Sequence, residues 1–256
     1  MKKLLNTLFV TTQGAYLFKE GETVVVKIED DVRLQAPIHT LGGIVCFGQV
    51  SCSPFLMGFC AENNVTITFL TAYGHFLANV YGQTSGNVLL RREQYRKADD
   101  AVFSANLARV FITGKVANCR TVLKRLTRDH SEKVPLDSLE KAGRNLTYSL
   151  DQLQRESGLD VLRGIEGDSA HTYFGVFDHL IVAQKDDFKF QERSRRPPLD
   201  EVNCLLSFLY TLLTHDMRSA LETVGLDPQV GYLHRDRPGR PGLALDMIEE
   251  MRPFLA

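Results

Sequence analysis

The sequence predicts an α+β protein in which a β-rich N-terminal domain is followed by an all-α helical domain. In the first third of the chain, short runs rich in Val, Ile, Phe and Thr alternate with turn pairs such as Gly42-Gly43 and Asn63-Asn64, a pattern typical of short strands. After the segment 82–86 (GQTSG), apolar residues recur with the period of helices. We therefore expect one domain over 1–84 and a second over 87–256.

The first domain is expected to contain six strands and one short helix. The predicted strands are Leu4–Thr11, Tyr16–Lys19, Thr23–Ile28, Gly43–Phe47, Val65–Leu70 and Phe76–Tyr81. The predicted helix covers Ser53–Glu62 and ends at the turn that begins with Asn63. No residue spacing in this domain indicates a catalytic site.

The second domain is expected to be a helical bundle. Asn87–Arg128 forms one helix, or two if the chain breaks near Gly114. A helix that opens at Pro135 and ends at Gly158 carries a buried stripe of Leu139, Ala142, Leu146, Leu150 and Leu153. The later helices are expected at Leu162–Ala183, Asp200–His215 and Met217–Leu226, and from Leu243 onward. Since Asp200–His215 is apolar on nearly all sides, we expect it to lie at the centre of the bundle.

Composition excludes several classes of protein. Hydrophobic residues make up 44% and charged residues 24% of 256 residues, as in ordinary globular proteins. The five cysteines form no CxxC pair, which argues against a disulfide framework or a cysteine zinc site and favours a reducing cytosol. No apolar run reaches membrane-spanning length, so no membrane partner is expected.

Charge is unevenly distributed although the net charge is only −1. Residues 91–128 contain ten Lys and Arg against three Asp and Glu. Such a stretch either binds a polyanion or forms an ordinary solvated helix, and this feature alone leaves both interpretations open.

The most informative stretch is 231–250, GYLHRDRPGRPGLALDMIEE. His234 is followed by an arginine-rich turn and then by a predicted helix. Asp246, Glu249 and Glu250 share one face of that helix, opposite an apolar stripe of Ala244, Met247, Ile248 and Met251. Imidazole and carboxylate bind divalent metals, and arginine binds phosphate. The alternative is that the acidic face is merely solvated.

A second acidic candidate is Glu166, which lies between Gly164 and Gly167. Glycine within a helix costs about 1 kcal/mol relative to alanine, so the pair indicates either close helix packing or the close approach of a ligand. A competing metal cluster would use Asp168, His171, Asp178 and His179. It ranks lower because no cationic loop adjoins it. Together these residues predict metal-assisted phosphodiester chemistry.

Three segments resemble one known family in wording and order. They are LRGIEGDSAHTYF (162–174), RSRRPPLDEVNCLLSFLYTLLT (193–214) and GLDPQVGYLHRDRPGRPGLALDMIEEMRP (225–253). They resemble the CRISPR-associated Cas1 family, the integrase subunit of spacer acquisition. FLTAYGHFLANV (69–80) is similar to the junction between the two domains of that family, and the N-terminal region most resembles subtype I-C.

The resemblance implies a β-rich dimerisation domain, a helical catalytic domain and a homodimer that works with the small Cas2 protein in the prokaryotic cytoplasm. It implies Mn²⁺ or Mg²⁺ held by Glu166, His234 and Glu249, with Asp246 as a second acid beside the metal. Asn203 matches a family position for which a buried hydrogen bond is the simplest role. The expected DNA-phosphate contacts, two of which come from the basic stretch, are Arg91, Arg92, Arg193, Arg195, Arg196, Arg237 and Arg240.

The expected activity is insertion of double-stranded protospacer DNA into the CRISPR repeat by 3′-OH attack on a phosphodiester. The sequence departs from the family pattern at Asp168-Ser169, Glu201 and Cys204. It also stops at Ala256, where family members usually continue through further helices, so a C-terminal truncation is expected. One alternative is therefore a non-catalytic DNA-binding or assembly subunit. Another is a hydrolase of small phosphoesters, but the spread of basic residues favours an extended polyanion.

Overall fold

The computed structural model describes residues 6–82, 88–156 and 158–255, which form two compact units. The first unit contains the described residues up to 82 together with Ser219–Leu226. The second contains Val88–Arg218 and the residues from Asp227 onward. The predicted linker at 82–86 lies outside the described residues except for Gly82, as do the domain limits at 84, 87 and 256 and the predicted starts at Leu4 and Asn87.

The first unit contains two four-stranded sheets and one helix, α1, at Pro54–Glu62. In one sheet the strand order is β1-β5-β7-β8, with the first three strands parallel and β8 antiparallel. In the other the order is β4-β3-β2-β6. The strands are β1 Asn6–Val10, β2 Ala15–Glu20, β3 Thr23–Ile28, β4 Asp31–Pro37, β5 Leu41–Phe47, β6 Ser51–Cys52, β7 Thr66–Leu70 and β8 Phe76–Val80.

Two of these strands were not predicted from the sequence. Among the described strands β4 pairs with β3 alone, at the edge of its sheet, and Val32 and Leu34 on it are 51% and 42% exposed. An edge strand without a buried face lacks the alternation that marks a strand in a sequence. β6 has two residues, which is too short for any periodic signal.

The second unit consists of helices whose apolar faces form one core. Its helices are α2 Val88–Asp99, α3 Ala101–Asp129, α4 Leu136–Arg155, α5 Leu159–Phe174, α6 Glu201–Thr223, α7 Gly242–Ile248 and α8 Arg252–Leu255. The α6 residues from Ser219 onward are grouped with the first unit. Of the predicted α4 stripe, all members are buried except Leu150, which is partly buried.

Three predicted helix boundaries were wrong. The break between α2 and α3 falls at Asp100, whose carboxylate accepts from the amides of Val102 and Phe103, and α3 runs unbroken through Gly114. α5 ends at Phe174, well before Ala183, and Phe177 beyond it packs with nearby aromatic rings.

The third error was to divide α6 near Asp216, where no breaking residue stands. The helix ends where Gly225 adopts φ +83°, a conformation that suits glycine.

The observed architecture confirms the predicted fold class, a β-rich N-terminal region followed by helices. All five cysteines are free thiols. Among the helices described, none combines the length and the apolar character required to span a bilayer.

Candidate metal and phosphate site

The loop that carries His234 is closed by two glycines in direct backbone contact. A Cβ on Gly231 would lie 2.8 Å from the carbonyl carbon of Gly242, and one on Gly242 would lie 2.7 Å from the oxygen of Gln229. Both distances are too short for any other residue. The amide of Gly242 also donates to the carbonyl of Gln229 at 3.1 Å. The two ends of the loop therefore lie side by side, and His234 and the arginines of the loop are held between them.

Asp246, on α7, fixes the conformation of this loop from inside. Its side chain is fully buried and accepts from the amides of Tyr232 at 2.6 Å, Leu233 at 2.9 Å and His234 at 3.0 Å. The same carboxylate contacts His234 Nδ1 at 2.6 Å. Since a carboxylate only accepts, Nδ1 carries the proton and Nε2 presents a lone pair to the pocket.

The predicted helix is buried on both faces. Ala244 and Ile248 of the apolar stripe are fully buried as expected, but α7 ends at Ile248, and Met251 beyond it is exposed. Asp246 and Glu249 are 0% and 3% exposed, so these two acids are not solvated. Buried carboxylates require hydrogen bonds or cations. Apart from Arg252, which is three residues from Glu249, these partners come from a distant helix and from the His234 loop, so local sequence could not reveal them.

Glu166 and Glu249 share a lysine. Lys115 on α3 donates a hydrogen bond to Glu249 Oε2 at 2.6 Å and a second one to Glu166 Oε1. Glu249 Oε1 contacts Arg252 Nη1 at 2.7 Å and lies 4.0 Å from His234 Nε2. The Lys115 ammonium thus lies between the two carboxylates, and the imidazole lines the same pocket beside Glu249.

The glycines beside Glu166 are not used for helix packing. A Cβ on either Gly164 or Gly167 would meet no atom within 4 Å in the described parts of the chain, apart from the backbone of α5 itself. Of the two interpretations of this pair, packing therefore has no support here. The bare surface leaves room for a ligand to approach Glu166 closely.

α3 approaches the Glu249–Glu250 turn unusually closely. A Cβ on Gly114 would lie 3.2 Å from Glu250 Cβ, and Asn118 Nδ2 donates to the carbonyl of Glu250 at 2.7 Å. Gly114 is thus a contact point rather than a helix break. The close approach allows Lys115, the next residue along, to reach both acids.

The carboxylates and His234 open into a pocket of about 370 Å³ in which six of the ten lining residues are arginines. Three of these arginines are held by protein groups: Arg163 by the carbonyl of Leu233 and by Asp160, Arg235 by Asp160, and Arg252 by Glu249. Arg195, Arg237 and Arg240 have no such partner among the described residues. Unpaired guanidinium groups in a pocket form a site for anions.

Electrostatics in the pocket follow from this crowding. Burial alone would raise the pKa of Glu249, but Lys115 and Arg252 outweigh burial and hold that pKa below its ordinary value. Burial and the neighbouring Arg237 lower the pKa of Arg240, and Arg195 adds to this. Arginine stays protonated under such shifts, so the guanidinium groups repel one another until an anion joins them.

Several predicted DNA contacts lie outside this pocket. Arg91 and Arg92 are on α2, Arg196 is exposed, and none of the three lines the pocket. Arg193 donates to Asn203 Oδ1 at 2.6 Å. Asn203 is fully buried and also binds the 192–200 segment, so it has the predicted structural hydrogen bonds.

The competing cluster has a structural explanation at Asp178. One of its oxygens accepts from the amide of Phe190 at 2.9 Å and the other contacts Lys185 Nζ at 3.2 Å. In the described part of the chain, no three His, Cys, Asp or Glu side chains are arranged to hold a metal ion as they stand.

At Glu166 and Glu249 a lysine ammonium lies between the acids. Their charge and their oxygen donors fit a hard divalent cation in its place.

Besides Arg235, which belongs to the predicted arginine-rich turn but was not among the expected phosphate contacts, three residues of the site were missed in the sequence: Lys115, Arg163 and Arg252. A signal existed for Lys115, because it follows Ala108 and Ile112 and precedes Cys119 on the buried stripe of α3. A lysine at helical spacing within an apolar stripe indicates a buried ion pair. Arg163 and Arg252 carried no comparable signal.

One protein family matches nearly the whole chain. The family model described as CRISPR associated protein Cas1 matches residues 8–256. The CRISPR-associated endonuclease Cas1 1 of Chlorobaculum tepidum is 56% identical over 255 residues, which cover all of this chain and 74% of that relative.

Two solved structures share the fold. A casposase bound to integration product has a TM-score of 0.78 at 22% identity, over 98% of this chain and 70% of that one. A Cas6-RT-Cas1–Cas2 complex has a TM-score of 0.74 at 19% identity, over 100% of this chain and 27% of that one. Because the family model matches residues 8–256 and a majority of residues are shared with a named relative, this chain belongs to the CRISPR-associated Cas1 family.

Proposed function

We propose that this chain is a divalent-metal-dependent DNA endonuclease and integrase of CRISPR adaptation. The observation that carries the proposal is that Glu166, Glu249 and His234 line one pocket together with Arg195, Arg237 and Arg240, which have no protein partner among the described residues. Cation ligands beside a phosphate-binding surface are what phosphodiester chemistry requires. The endonuclease name of the Chlorobaculum tepidum relative supports the same reaction class.

Glu166, Glu249 and His234 would hold Mn²⁺ or Mg²⁺, with Asp246 orienting His234 instead of binding the metal. When bound, the cation supplies Lewis-acid stabilisation of the charge that develops on the phosphate. His234 Nε2 is available as a ligand because Asp246 takes the proton-bearing Nδ1. The two carboxylates contribute negative charge and oxygen donors.

Arg195, Arg237 and Arg240 would bind the phosphates that flank the reacting bond and offset charge in the transition state. In strand transfer, the 3′-OH of an incoming strand attacks phosphorus. One P–O bond forms, another breaks, and a proton passes from the attacking to the leaving oxygen. With water as the nucleophile, the same site would cleave DNA. Arg91, Arg92 and Arg196 would contact DNA away from the reacting phosphate.

The partners that we propose are a second copy of this chain, a Cas2 protein, and double-stranded protospacer and repeat DNA. The fold similarity to a chain in a Cas6-RT-Cas1–Cas2 complex and to a casposase bound to integration product supports a Cas2 protein and DNA as partners. A prokaryotic cytoplasmic setting fits the free thiols of all five cysteines.

The test is strand transfer on a branched DNA that mimics an integration product, in buffer with Mn²⁺. Such a substrate can be resolved without Cas2, so it reports on this chain alone. We expect metal-dependent resolution that His234→Ala and Glu166→Ala abolish, because each removes a ligand of the proposed cation.

His171→Ala is the matched control, since His171 is an exposed histidine of α5 and belongs to the competing cluster. It should retain activity. If His171→Ala lost the resolution activity and His234→Ala kept it, the metal site would have to be assigned to the competing cluster instead. DNA binding without resolution in any form of this chain would favour the non-catalytic assembly role.

A further inference from the structure

Lys115 occupies a position that a solvated lysine would not take. Its side chain is 10% exposed, and its Nζ bridges Glu249 Oε2, at 2.6 Å, and Glu166 Oε1. The other oxygen of Glu249 belongs to Arg252 Nη1 at 2.7 Å. The acids that would hold a metal therefore already share one internal cation.

This ammonium offsets a specific electrostatic cost. Glu249 is 3% exposed and faces Glu166, and two such carboxylates repel each other unless a cation lies between them. An amine that contacts two carboxylates at hydrogen-bonding distance donates to both as an ammonium group. Arg252 is a second cation at Glu249, on the oxygen that Lys115 does not contact.

A charged lysine cannot share this position with a divalent cation. The ammonium has three donors and no lone pair, so it cannot act as a ligand. Its charge would also repel a metal placed between the same two oxygens. One of the two cations must leave.

We propose that Lys115 is an internal counter-ion for Glu166 and Glu249, and that a divalent cation binds only by displacing its ammonium from between them. This inference rests on the proposed function, because it concerns the same metal site. It makes Lys115 a determinant of metal affinity. Without metal the lysine stabilises the acidic pair, and it weakens binding by keeping the site closed.

The first experiment compares Mn²⁺ binding by the whole chain and by Lys115→Met, using titration calorimetry and the metal-induced shift of the melting temperature. Work at about pH 8 limits proton sharing between the facing carboxylates of the variant. We expect Lys115→Met to melt at a lower temperature without metal. We also expect it to bind Mn²⁺ about tenfold more tightly, because affinity is reduced by the fraction of molecules in which the site is closed.

Lys124→Met is the matched control, since Lys124 lies on the exposed face of the same helix. It should match the unsubstituted chain in melting temperature and in Mn²⁺ affinity. An unchanged or weaker affinity in Lys115→Met would overturn the proposal.

The second experiment uses the unsubstituted chain and so does not depend on how Lys115→Met folds. Reductive methylation followed by mass spectrometry measures how fast each lysine amine reacts. Lys115 should react slowly without metal and severalfold faster with Mg²⁺, while Lys124 keeps one rate. A Lys115 rate that Mg²⁺ leaves unaltered would overturn the proposal even if Lys115→Met binds metal more tightly, because charge removal alone would then explain that gain.

His234→Ala separates the two proposals. Mn²⁺ binding that His234→Ala abolishes would uphold the metal site of the proposed function, whatever Lys115 does. If neither the unsubstituted chain nor Lys115→Met bound Mn²⁺, the proposed function and the role of Lys115 would both fall.

Discussion

At the scale of single residues, the site depends on one fully buried carboxylate. Asp246 accepts three successive backbone amides of the His234 loop and binds His234 Nδ1. An acceptor with both oxygens used in this way determines the loop conformation and the imidazole tautomer together. Asp246 therefore acts through His234, whereas Glu249 faces the pocket itself.

Replacement of Asp246 by asparagine should damage both the fold and the ligand. The amide NH₂ would face backbone donors and would donate to Nδ1, which moves the ring proton to Nε2 and removes its lone pair. We expect the free energy of unfolding to fall by about 2–4 kcal/mol and Mn²⁺ binding to be lost, measured by urea denaturation and calorimetry.

The control for that substitution is Asp236→Asn, an exposed acid in the same loop. It should change the free energy of unfolding by less than about 0.5 kcal/mol. Equal effects of the two substitutions would show that Asp246 has no special role in holding the loop.

At the scale of secondary-structure elements, α3 is the helix that completes the site. It contacts the Glu249–Glu250 turn through Gly114, Lys115 and Asn118, which lie on one face at helical spacing. A glycine within a helix is costly, and here it allows a close approach, since a Cβ at this position would lie 3.0–3.2 Å from the Glu250 side chain. This close approach brings Lys115 within hydrogen-bonding distance of Glu166 and Glu249.

Gly114→Ala and Gly143→Ala should differ, although both place alanine inside a helix. A Cβ at Gly143 meets no atom within 4 Å, so this substitution should raise the free energy of unfolding by about 0.5–1 kcal/mol. At Gly114 the Cβ would press against Glu250 at 3.0–3.2 Å, and we expect the gain to be absent. Thermal denaturation measures both, and an equal rise would contradict the close contact.

At the scale of the whole molecule, a nearly neutral chain concentrates its positive charge. The formal net charge is −1, yet six arginines line one pocket of the second unit. Local charge of this kind, not total charge, determines whether a protein binds a polyanion.

DNA binding should therefore weaken steeply with salt, and the arginines of the pocket should account for part of that dependence. Each phosphate contact adds about 0.9 to the slope of log affinity against log salt. The variant with Arg195, Arg237 and Arg240 all changed to Ala should bind DNA more weakly. The magnitude of its slope should be smaller by about 2 to 3. Fluorescence anisotropy over a range of salt concentrations measures both.

Arg144→Ala provides the comparison, since Arg144 is an exposed arginine of α4 that lies 3.5 Å from Glu140 and not in this pocket. It should keep the slope of the unsubstituted chain. A triple variant with an unchanged slope would remove the three arginines from the DNA contact surface.

Local patterns account for what was predictable. The Leu139–Leu153 stripe and the runs that became β2, β3, β5 and β7 carry their own periodicity, so the order of strands and helices could be read from the sequence. β4 could not be read in this way, because an exposed edge strand lacks that periodicity. The end of α5 depends on the packing of Phe174 and Phe177 against Phe190, which lies in the loop before α6.

The sequence by itself determined the fold class, the family and which residues could hold a cation or a phosphate, because periodicity and residue type are local properties. Only the tertiary structure decided their arrangement: that Asp246 faces inward to His234, that Arg193 is held by Asn203, and that Lys115 lies between Glu166 and Glu249. Lys115 and Glu249 are 134 positions apart. Helix packing brings them together, and the resulting burial turns an ordinary lysine into the counter-ion of the site.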